Sequence, residues 1–191
     1  MSKYKPYFPA LAKCAPDSSF FNETISLANN NGETVCSHWR AYHHPDGMYP
    51  IIGATFILNS ENKIILQKNS RYKRTDALKW TFSSGGHIDA TETQEQGALR
   101  ELLEEMGIKG VLDCKIGVYR NMRNGKPGAF YTVWLVRHNG PYQIDEQEAD
   151  CIRAFTLDEV YGMVQKNPND FKQPFVTAFL DFYKRKNEFG L

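Results

Sequence analysis

The stretch "GGHIDATETQEQGALRELLEEMGI", Gly85–Ile108, crowds three glutamates into five positions near its end, Glu101, Glu104 and Glu105. With Glu101 at 0° on a helical wheel and about 100° per residue, Glu104 falls at about −60° and Glu105 at about +40°. The aliphatic side chains lie on the opposite side, between about 100° and 200°: Leu99, Leu102, Leu103 and Met106. The stretch therefore predicts a helix with one face that packs on a sheet and one face of carboxylates.

Capping residues mark both ends of this helix. Thr91 and Thr93 are each followed three residues later by a glutamine, Gln94 or Gln96, so each offers a capping box. Gly107 is placed to end the helix, because glycine adopts the left-handed conformation after the last turn without strain. The pattern leaves open which threonine begins the helix.

The carboxylate face is unfavourable by itself. Glu101 and Glu105 are like charges at i, i+4, which costs roughly a few tenths of a kcal/mol, and the helix dipole disfavours anions toward the C-terminal end. A divalent cation such as Mg²⁺ or Mn²⁺ would offset this repulsion, because both prefer oxygen ligands. The small residues Gly97 and Ala98 on the same face predict room for a loop or a metal-bound phosphate to approach. A solvated acidic surface is the alternative for three helical glutamates alone.

The wider spacing decides between these alternatives. The stretch consists of a glycine, five residues, a glutamate, seven residues and then "RELLEEMGI". This pattern resembles the signature of the Nudix hydrolases, G-x5-E-x7-R-E-U-x-E-E-x-G-U, in which U is a bulky aliphatic residue. The match is highly specific, and it covers residues 86–108. Every position is met: Gly86, Glu92, Arg100, Glu101, Glu104, Glu105 and Gly107, with Leu102 and Ile108 at the aliphatic sites.

The resemblance implies a loop–helix–loop that binds a divalent metal ion and hydrolyses a phosphoanhydride bond. The expected substrate is a nucleoside diphosphate derivative or a related diphosphate. Arg100 is expected to orient the carboxylates, through Glu92. The metal, Mg²⁺ or Mn²⁺, would neutralise the diphosphate and lower the pKa of a bound water, and a carboxylate would take the proton. The implied metal ligands are the carbonyl of Gly86 and the carboxylates of Glu101, Glu104 and Glu105.

Two loops outside the signature carry further candidates. In this family an acidic residue elsewhere often supplies another ligand or a base, and among the acidic residues of "IDEQEAD" (144–150) we choose Glu148. The basic loop "RYKRTDALK" (71–79) places Arg71, Lys73 and Arg74 where they could meet substrate phosphates. For each of these residues a solvated loop is the competing interpretation.

A second resemblance competes with the hydrolase interpretation. "WTFSSGGH" (Trp80–His87) is similar to the "WT-x-S-x-x-GH" stretch of isopentenyl-diphosphate isomerases, which share the Nudix fold. In those enzymes a catalytic cysteine precedes the glycine-histidine pair, and here that position is Gly85. One of their metal-binding histidines corresponds to Pro50, while His43 or His44 matches another. Isomerisation needs an acid and a base on opposite faces of a double bond, and the thiol is missing, so the sequence predicts an isomerase-like hydrolase.

Two points stay open at this level. His87 is either a structural residue retained from the isomerase-like pattern or a metal ligand. The fold could also serve as a catalytically silent nucleotide sensor or a protein-interaction module. Intact carboxylates argue against this third interpretation, because a pure binding module gains nothing from their mutual repulsion.

Outside the signature, apolar runs alternate with turns. The order predicts an α+β fold, a Nudix-type αβα sandwich with a mixed β-sheet and a catalytic loop–helix–loop. Residues 48–191 are expected to form the domain, and residues 1–47 a mostly irregular extension packed on or flanking it. Strands are expected near 34–42, 51–58, 64–67, 80–83, 111–121, 129–138 and 151–155, a hairpin loop at 124–128, and helices at 157–165 and 171–185.

Composition sets the remaining limits. The net charge of +1, from 23 basic and 22 acidic residues, gives no nucleic-acid footprint. Four cysteines without a C-x-x-C pair are typical of a reduced, cytoplasmic protein. No apolar run approaches the ~20 residues of a membrane span. We expect a small-molecule diphosphate as the partner, with neither nucleic acid nor membrane, and leave a homodimer open.

Overall fold

Nine strands and three α-helices are present in the residues that this computed structural model describes, 23–40, 44–123 and 126–191. The strands are β1 (Thr24–Ala28), β2 (Thr34–Trp39), β3 (Tyr49–Leu58), β4 (Ile64–Asn69), β5 (Trp80–Thr81), β6 (Ser84–His87), β7 (Cys114–Arg123), β8 (Lys126–Arg137) and β9 (Ala149–Phe155). The helices are α1 (Gln94–Met106), α2 (Leu157–Lys166) and α3 (Gln173–Lys184), with 3₁₀ turns at Pro168–Asp170 and Lys186–Phe189. Among these described residues, no helix is both long and apolar enough to cross a membrane.

Strand β3 lies at the centre of the sheet. Its residues Ile51–Leu58 pair in parallel with Phe130–Arg137 of β8, and its residues 52–55 pair antiparallel with β6. Near its end it also pairs with β4, which continues antiparallel to β5 and β9. Since β7 is antiparallel to β8, the sheet is mixed, as the sequence predicts.

Helices cover both faces of this sheet. Because side chains alternate along a strand, Phe56 of β3 packs with α2 and α3, whereas its neighbour Ile57 packs with α1. From α1, Leu102 and Met106 are fully buried against the sheet. The expected αβα sandwich of the α+β class is therefore confirmed. Leu103, which the wheel put on the aliphatic face, is instead exposed.

The phenylalanines around α3 form the larger core. Their rings stack in sequence, with centroids 5.4 Å apart between Phe171 and Phe175 and 5.5 Å apart between Phe175 and Phe179. All of them, with Phe182, are essentially inaccessible to solvent. The prediction that this helical spacing marks core rather than ligand contacts is confirmed, and both C-terminal helices lie within two residues of their expected bounds.

The N-terminal region is more regular than expected. Strand β1 buries Ile25, Leu27 and Ala28 completely and pairs with the start of β3 through Leu27 and Pro50. It was missed because its five residues alternate between apolar and small or polar side chains, which is too short a signal to separate from a loop. The expected strand near 34–42 is β2, which ends at Trp39.

The strand expected at 80–83 is present but shorter, and its expected end at the paired glycines is wrong. Only Trp80 and Thr81 form β5, and the two glycines lie inside β6. A Cβ atom at Gly85 would lie 3.0 Å from both the Cβ of Ala54 and the carbonyl oxygen of Gly53. Glycine at this position therefore permits the close approach of β6 to β3, rather than ending a strand. In the expected hairpin loop at 124–128, residues 124 and 125 lie outside the described residues, and β8 already begins at residue 126.

Candidate active site

Helix α1 is fixed at both ends by its own sequence. The Thr93 hydroxyl accepts a hydrogen bond from the Gln96 amide (3.2 Å), and the Gln96 side chain accepts one from the Thr93 amide (2.8 Å). Thr93 is therefore the residue that begins the helix. Gly107 ends it in the left-handed conformation, at φ 69°. These contacts set which residues of α1 face the sheet and which face the site.

The small residues of α1 serve packing. A Cβ atom at Gly97 would lie 2.4 Å from Cδ1 of Ile88, and a Cβ atom at Gly53 of β3 would lie 3.1 Å from the backbone nitrogen of Ala98. Both Gly97 and Ala98 are buried. Of the two alternatives expected for these small residues, the structure has the close approach of a chain segment: β3 and the segment after β6 occupy the space, which leaves no room there for a phosphate.

Arg100 joins the acidic residues of the site. Its guanidinium donates to both carboxylate oxygens of Glu92 (2.8 and 3.1 Å), to Glu101 (2.8 Å) and to Glu104 (3.0 Å). It also donates to the carbonyl of His87 at 2.8 Å, which fixes it to β6. These hydrogen bonds lower the pKa of Glu92 and raise that of Arg100. The contact expected between Arg100 and Glu92 is thus present, and one cation holds three carboxylates.

Glu101 rests directly on Gly86. A Cβ atom at position 86 would lie 2.1 to 2.5 Å from the three atoms of the Glu101 carboxylate group, far inside any tolerated contact. The Glu101 side chain is only 13% exposed, and burial raises its pKa despite the hydrogen bond from Arg100. The glycine therefore makes a cradle into which the carboxylate is folded.

Glu105 lies beside it. Its Oε2 accepts hydrogen bonds from the Gly85 backbone amide (2.9 Å) and from Nε2 of Gln67 (3.3 Å). Burial, followed by the negative charge of Glu101, raises the pKa of Glu105 to about 8. Sequence reasoning missed Gln67; its only signal is an amide inside the apolar run "IILQ", where it is 3% exposed.

The donor set fits a divalent cation. Glu101 and Glu105 bring hard oxygen donors together. Burial raises the pKa of both carboxylates, so a cation beside them would offset the cost of their ionisation. Among the residues described, no three His, Cys, Asp or Glu side chains are gathered as a ready metal site. The reason is visible in the hydrogen bonds: Glu101 and Glu104 are turned to the Arg100 guanidinium.

The two loops outside the signature lie against each other. Lys73 forms an ion pair with Glu148, and Arg71 forms one with Asp150 at 2.9 Å. The Glu148 charge contributes to the raised pKa of both glutamates described above, so this loop borders the carboxylate cluster. Arg74 lies exposed on the same basic loop. Arg71, Lys73 and Glu148, which were expected to bind substrate, therefore form ion pairs within the protein next to the site.

His87, the last residue of β6, lies near His44 and Arg100, whose charges affect it. Burial, followed by the positive charge of Arg40, lowers the pKa of His87 well below its usual value, so its ring is neutral at physiological pH. His44 contacts His38 edge to face, with ring centroids 5.6 Å apart. His43, the other histidine matched to the isomerases, lies outside the described residues.

Lys172, just before α3, is a residue that sequence reasoning did not select. Its backbone amide donates to the Trp80 carbonyl at 2.9 Å, and its charge interacts with those of Glu105 and Glu148. Nothing near it in the sequence marks it, because it precedes an apolar helix more than 60 residues after the signature.

Comparisons with known proteins agree with this geometry. The model of the family described as "NUDIX domain" matches residues 48–179. A prenyl-diphosphate phosphatase from Methanosarcina mazei is 29% identical over 67% of this chain and 76% of its own length. An isopentenyl-diphosphate Delta-isomerase 1 from Aromatoleum aromaticum is 28% identical over 67% of this chain and 74% of its own length. Both resemblances found in the sequence therefore recur among the relatives.

Solved structures share the fold. A MutT protein from Methanosarcina mazei superimposes with a TM-score of 0.63 over 73% of this chain and 96% of that chain, at 23% identity. Two further curated relatives, from Bacillus subtilis and Nostoc, are matched over only part of their own length. The matched part covers 45% of the first and 60% of the second. The comparisons thus establish family and fold.

Proposed function

Because the chain belongs to the NUDIX domain family, we propose that it is a divalent-metal-dependent pyrophosphohydrolase. It hydrolyses a phosphoanhydride bond in a nucleoside diphosphate derivative or a related diphosphate, with Mg²⁺ or Mn²⁺ as the metal. The observation that carries the proposal is the pair of buried carboxylates, Glu101 in its glycine cradle and Glu105 with a pKa of about 8. A divalent cation between the two carboxylates stabilises their ionised forms, which water alone does not do at a partly buried site.

The residues that would hold the cation are the carboxylates of Glu101, Glu104 and Glu105 and the carbonyl of Gly86. When bound, the cation neutralises charge on the diphosphate and lowers the pKa of a water molecule. Arg100 positions this set, because its hydrogen bonds join Glu92, Glu101 and Glu104 to β6. We assign the orientation of the carboxylates, rather than substrate contact, to Arg100 and Glu92.

The paired loops supply the other groups. Glu148 is the proposed proton acceptor, because its carboxylate belongs to the loop beside Glu105. Arg71 and Lys73 bind substrate phosphate by exchanging their carboxylate partners for phosphate oxygens, and Arg74 adds positive charge to the same loop. Lys73 leaving Glu148 would free this carboxylate as the substrate arrives.

The glycine at position 85 favours hydrolysis over isomerisation. A side chain there would crowd β3, with three atoms of Gly53 and Ala54 within 3.1 Å of its Cβ. A thiol is therefore not only missing but has no space without a shift of the backbone. Incubation with isopentenyl diphosphate tests the alternative; formation of dimethylallyl diphosphate at an enzymatic rate would replace the hydrolase proposal.

A substrate panel with matched variants tests the hydrolase. Nucleoside, sugar-nucleotide and prenyl diphosphates are incubated with Mg²⁺ or Mn²⁺, and phosphate release is measured. Glu101→Gln and Glu105→Gln should each reduce kcat by at least ~100-fold, while Glu95→Gln, exposed on the same helix, keeps normal turnover. Unchanged turnover in both site variants would refute the assignment, and no turnover of any diphosphate would support the silent sensor.

We further assign the enzyme to the cytoplasm. Cys36, Cys114 and Cys151 are free thiols, which is typical of a reducing compartment.

A further inference from the structure

Lys172 is held at one border of the carboxylate site by its backbone. Its amide donates to the carbonyl of Trp80 (2.9 Å), and the preceding residue, Phe171, bridges Trp80 in parallel. Phe171 is fully buried and stacks on Phe175 of α3. The position of Lys172 is therefore fixed by β5 on one side and by the aromatic core on the other.

The ammonium group of Lys172 lies among the charged groups of the site. It interacts electrostatically with Asp76, Glu105, Glu148 and Lys73. Lys172 directly precedes α3, which covers the sheet face opposite α1. The carboxylate Glu105 and the lysine that interacts with it therefore come from different parts of the fold.

Lys172 makes no hydrogen bond or ion pair through its side chain to any residue within the described ranges. The side chain is half-buried, and its nitrogen retains some accessible surface. A lysine normally extends its ammonium group into water or pairs it when buried. The ammonium group of Lys172 makes no such pair, although carboxylates interact with its charge.

Those carboxylates are already engaged. Glu148 is paired with Lys73, and Glu105 accepts from the Gly85 amide and from Gln67. The unused donor capacity of Lys172, three N–H groups, is therefore available to an anion that enters the site. A phosphate oxygen is the acceptor that suits an ammonium group next to a diphosphate-hydrolysing centre.

We propose that Lys172 is a substrate-binding residue whose ammonium group donates to the diphosphate. The inference rests on the proposed function, because it assumes that a diphosphate enters this site. Together with Lys73, which lies on the loop after β4, Lys172 would bind the phosphate groups, while the carboxylates of α1 would hold the metal ion.

A purely structural role for Lys172 predicts a different outcome. If the charge of Lys172 only balances Glu105 and Glu148, its removal changes how these carboxylates bind the metal. The affinity for phosphate then changes in parallel with the affinity for the metal. If Lys172 binds phosphate, its removal weakens the binding of the diphosphate. The affinity for the cation stays the same or rises, because one positive charge has been removed. The two ligands therefore have to be measured separately.

The experiment is calorimetry on the full chain with Mn²⁺ alone, and then with methylenediphosphonate at saturating Mn²⁺. Lys172→Met should lower the affinity for methylenediphosphonate by roughly 10- to 100-fold, the loss expected for a charge-assisted hydrogen bond. Its affinity for Mn²⁺ should be equal to that of the wild type or higher. Lys172→Arg should recover most of the affinity. Lys166→Met, on an exposed position of α2, should match the wild type.

Each other result has a definite meaning. Equal methylenediphosphonate affinity in Lys172→Met and wild type overturns the inference while leaving the proposed function intact, and so does a joint loss of Mn²⁺ and methylenediphosphonate binding in Lys172→Met and in Lys172→Arg. No binding of methylenediphosphonate by the wild type would remove both proposals. Thermal melting checks that the variants fold, and Lys172→Gln replaces the methionine variant if that one does not.

Discussion

Glu105 should make the metal-free protein less stable as the pH rises from 6.5 to 8. Its pKa is about 8 in the folded state and near 4.5 when the chain is unfolded. Above pH 4.5 the unfolded chain releases this proton while the folded protein retains it, so the free energy of unfolding falls with pH. The fall ends once the pH passes the folded pKa, because both states are then ionised.

The size follows from the width of the window. Each pH unit in which one proton separates the two states changes the free energy of unfolding by about 1.36 kcal/mol, so 1.5 units give ~2 kcal/mol. Below pH 6.5, His87 acts in the opposite direction: its lowered pKa gives stability that is lost as the pH falls. The interval from 6.5 to 8 therefore lies above the range in which His87 contributes most.

Urea denaturation at fixed ionic strength, at half-unit steps of pH, measures this slope. Glu105→Gln should remove it, since the amide does not ionise, whereas Glu95→Gln, exposed on the same helix, should retain it. Saturating Mg²⁺ should also flatten it and should raise stability at pH 8 by ~2.7 kcal/mol at a concentration of about 100 Kd.

Two outcomes would refute this reasoning. A slope of the same size in Glu105→Gln would assign it to another group. A wild-type stability that rises with pH across the window would mean that the Glu105 carboxylate is ionised without a metal, so that burial does not control it.

Four further predictions concern packing and position. Gly86→Ala should abolish measurable Mn²⁺ binding in calorimetry, because the new methyl group occupies the place of the Glu101 carboxylate; Gly162→Ala, which meets nothing within 4 Å inside α2, should instead raise the melting temperature, through a gain of about 0.5–1 kcal/mol. Arg100→Lys should reduce kcat at least ~10-fold with little change in KM, since one ammonium cannot replace a fork that contacts three carboxylates, and a retained kcat would refute that role. Phe175→Ala should lower the free energy of unfolding by roughly 3–5 kcal/mol in urea, with normal kcat per folded molecule; a loss below 1 kcal/mol would contradict its place in the core.

Long periodic segments were predictable from the sequence. Helical periodicity is directly visible in the spacing of Phe171, Phe175 and Phe179, and a buried strand is indicated by the apolar run of β3. Both elements are present where they were expected. β1 has neither property. Its five residues are held by pairing with β2 and β3, which is a long-range cause that a local pattern does not contain.

The candidate site divides in the same way. The contact between Arg100 and Glu92 follows from a fixed spacing, and the structure contains it. Gln67 and Lys172 approach the site from β4 and from the start of α3, elements that precede and follow the signature by tens of residues. Their involvement depends on how the sheet is assembled, so residue types alone could not single them out.

The small residues show why a correct motif can still be misread. On the wheel, Gly97 and Ala98 flank the glutamates, and the pattern does not say whether a loop or a phosphate takes the space beside them. The wheel contains only α1, whereas this space is occupied by residues of other elements, Ile88 and Gly53. The glycine that matters for the carboxylates is Gly86, because a side chain there would collide with Glu101. A methyl group added at position 97 should therefore disturb stability before catalysis, and one added at position 86 the reverse.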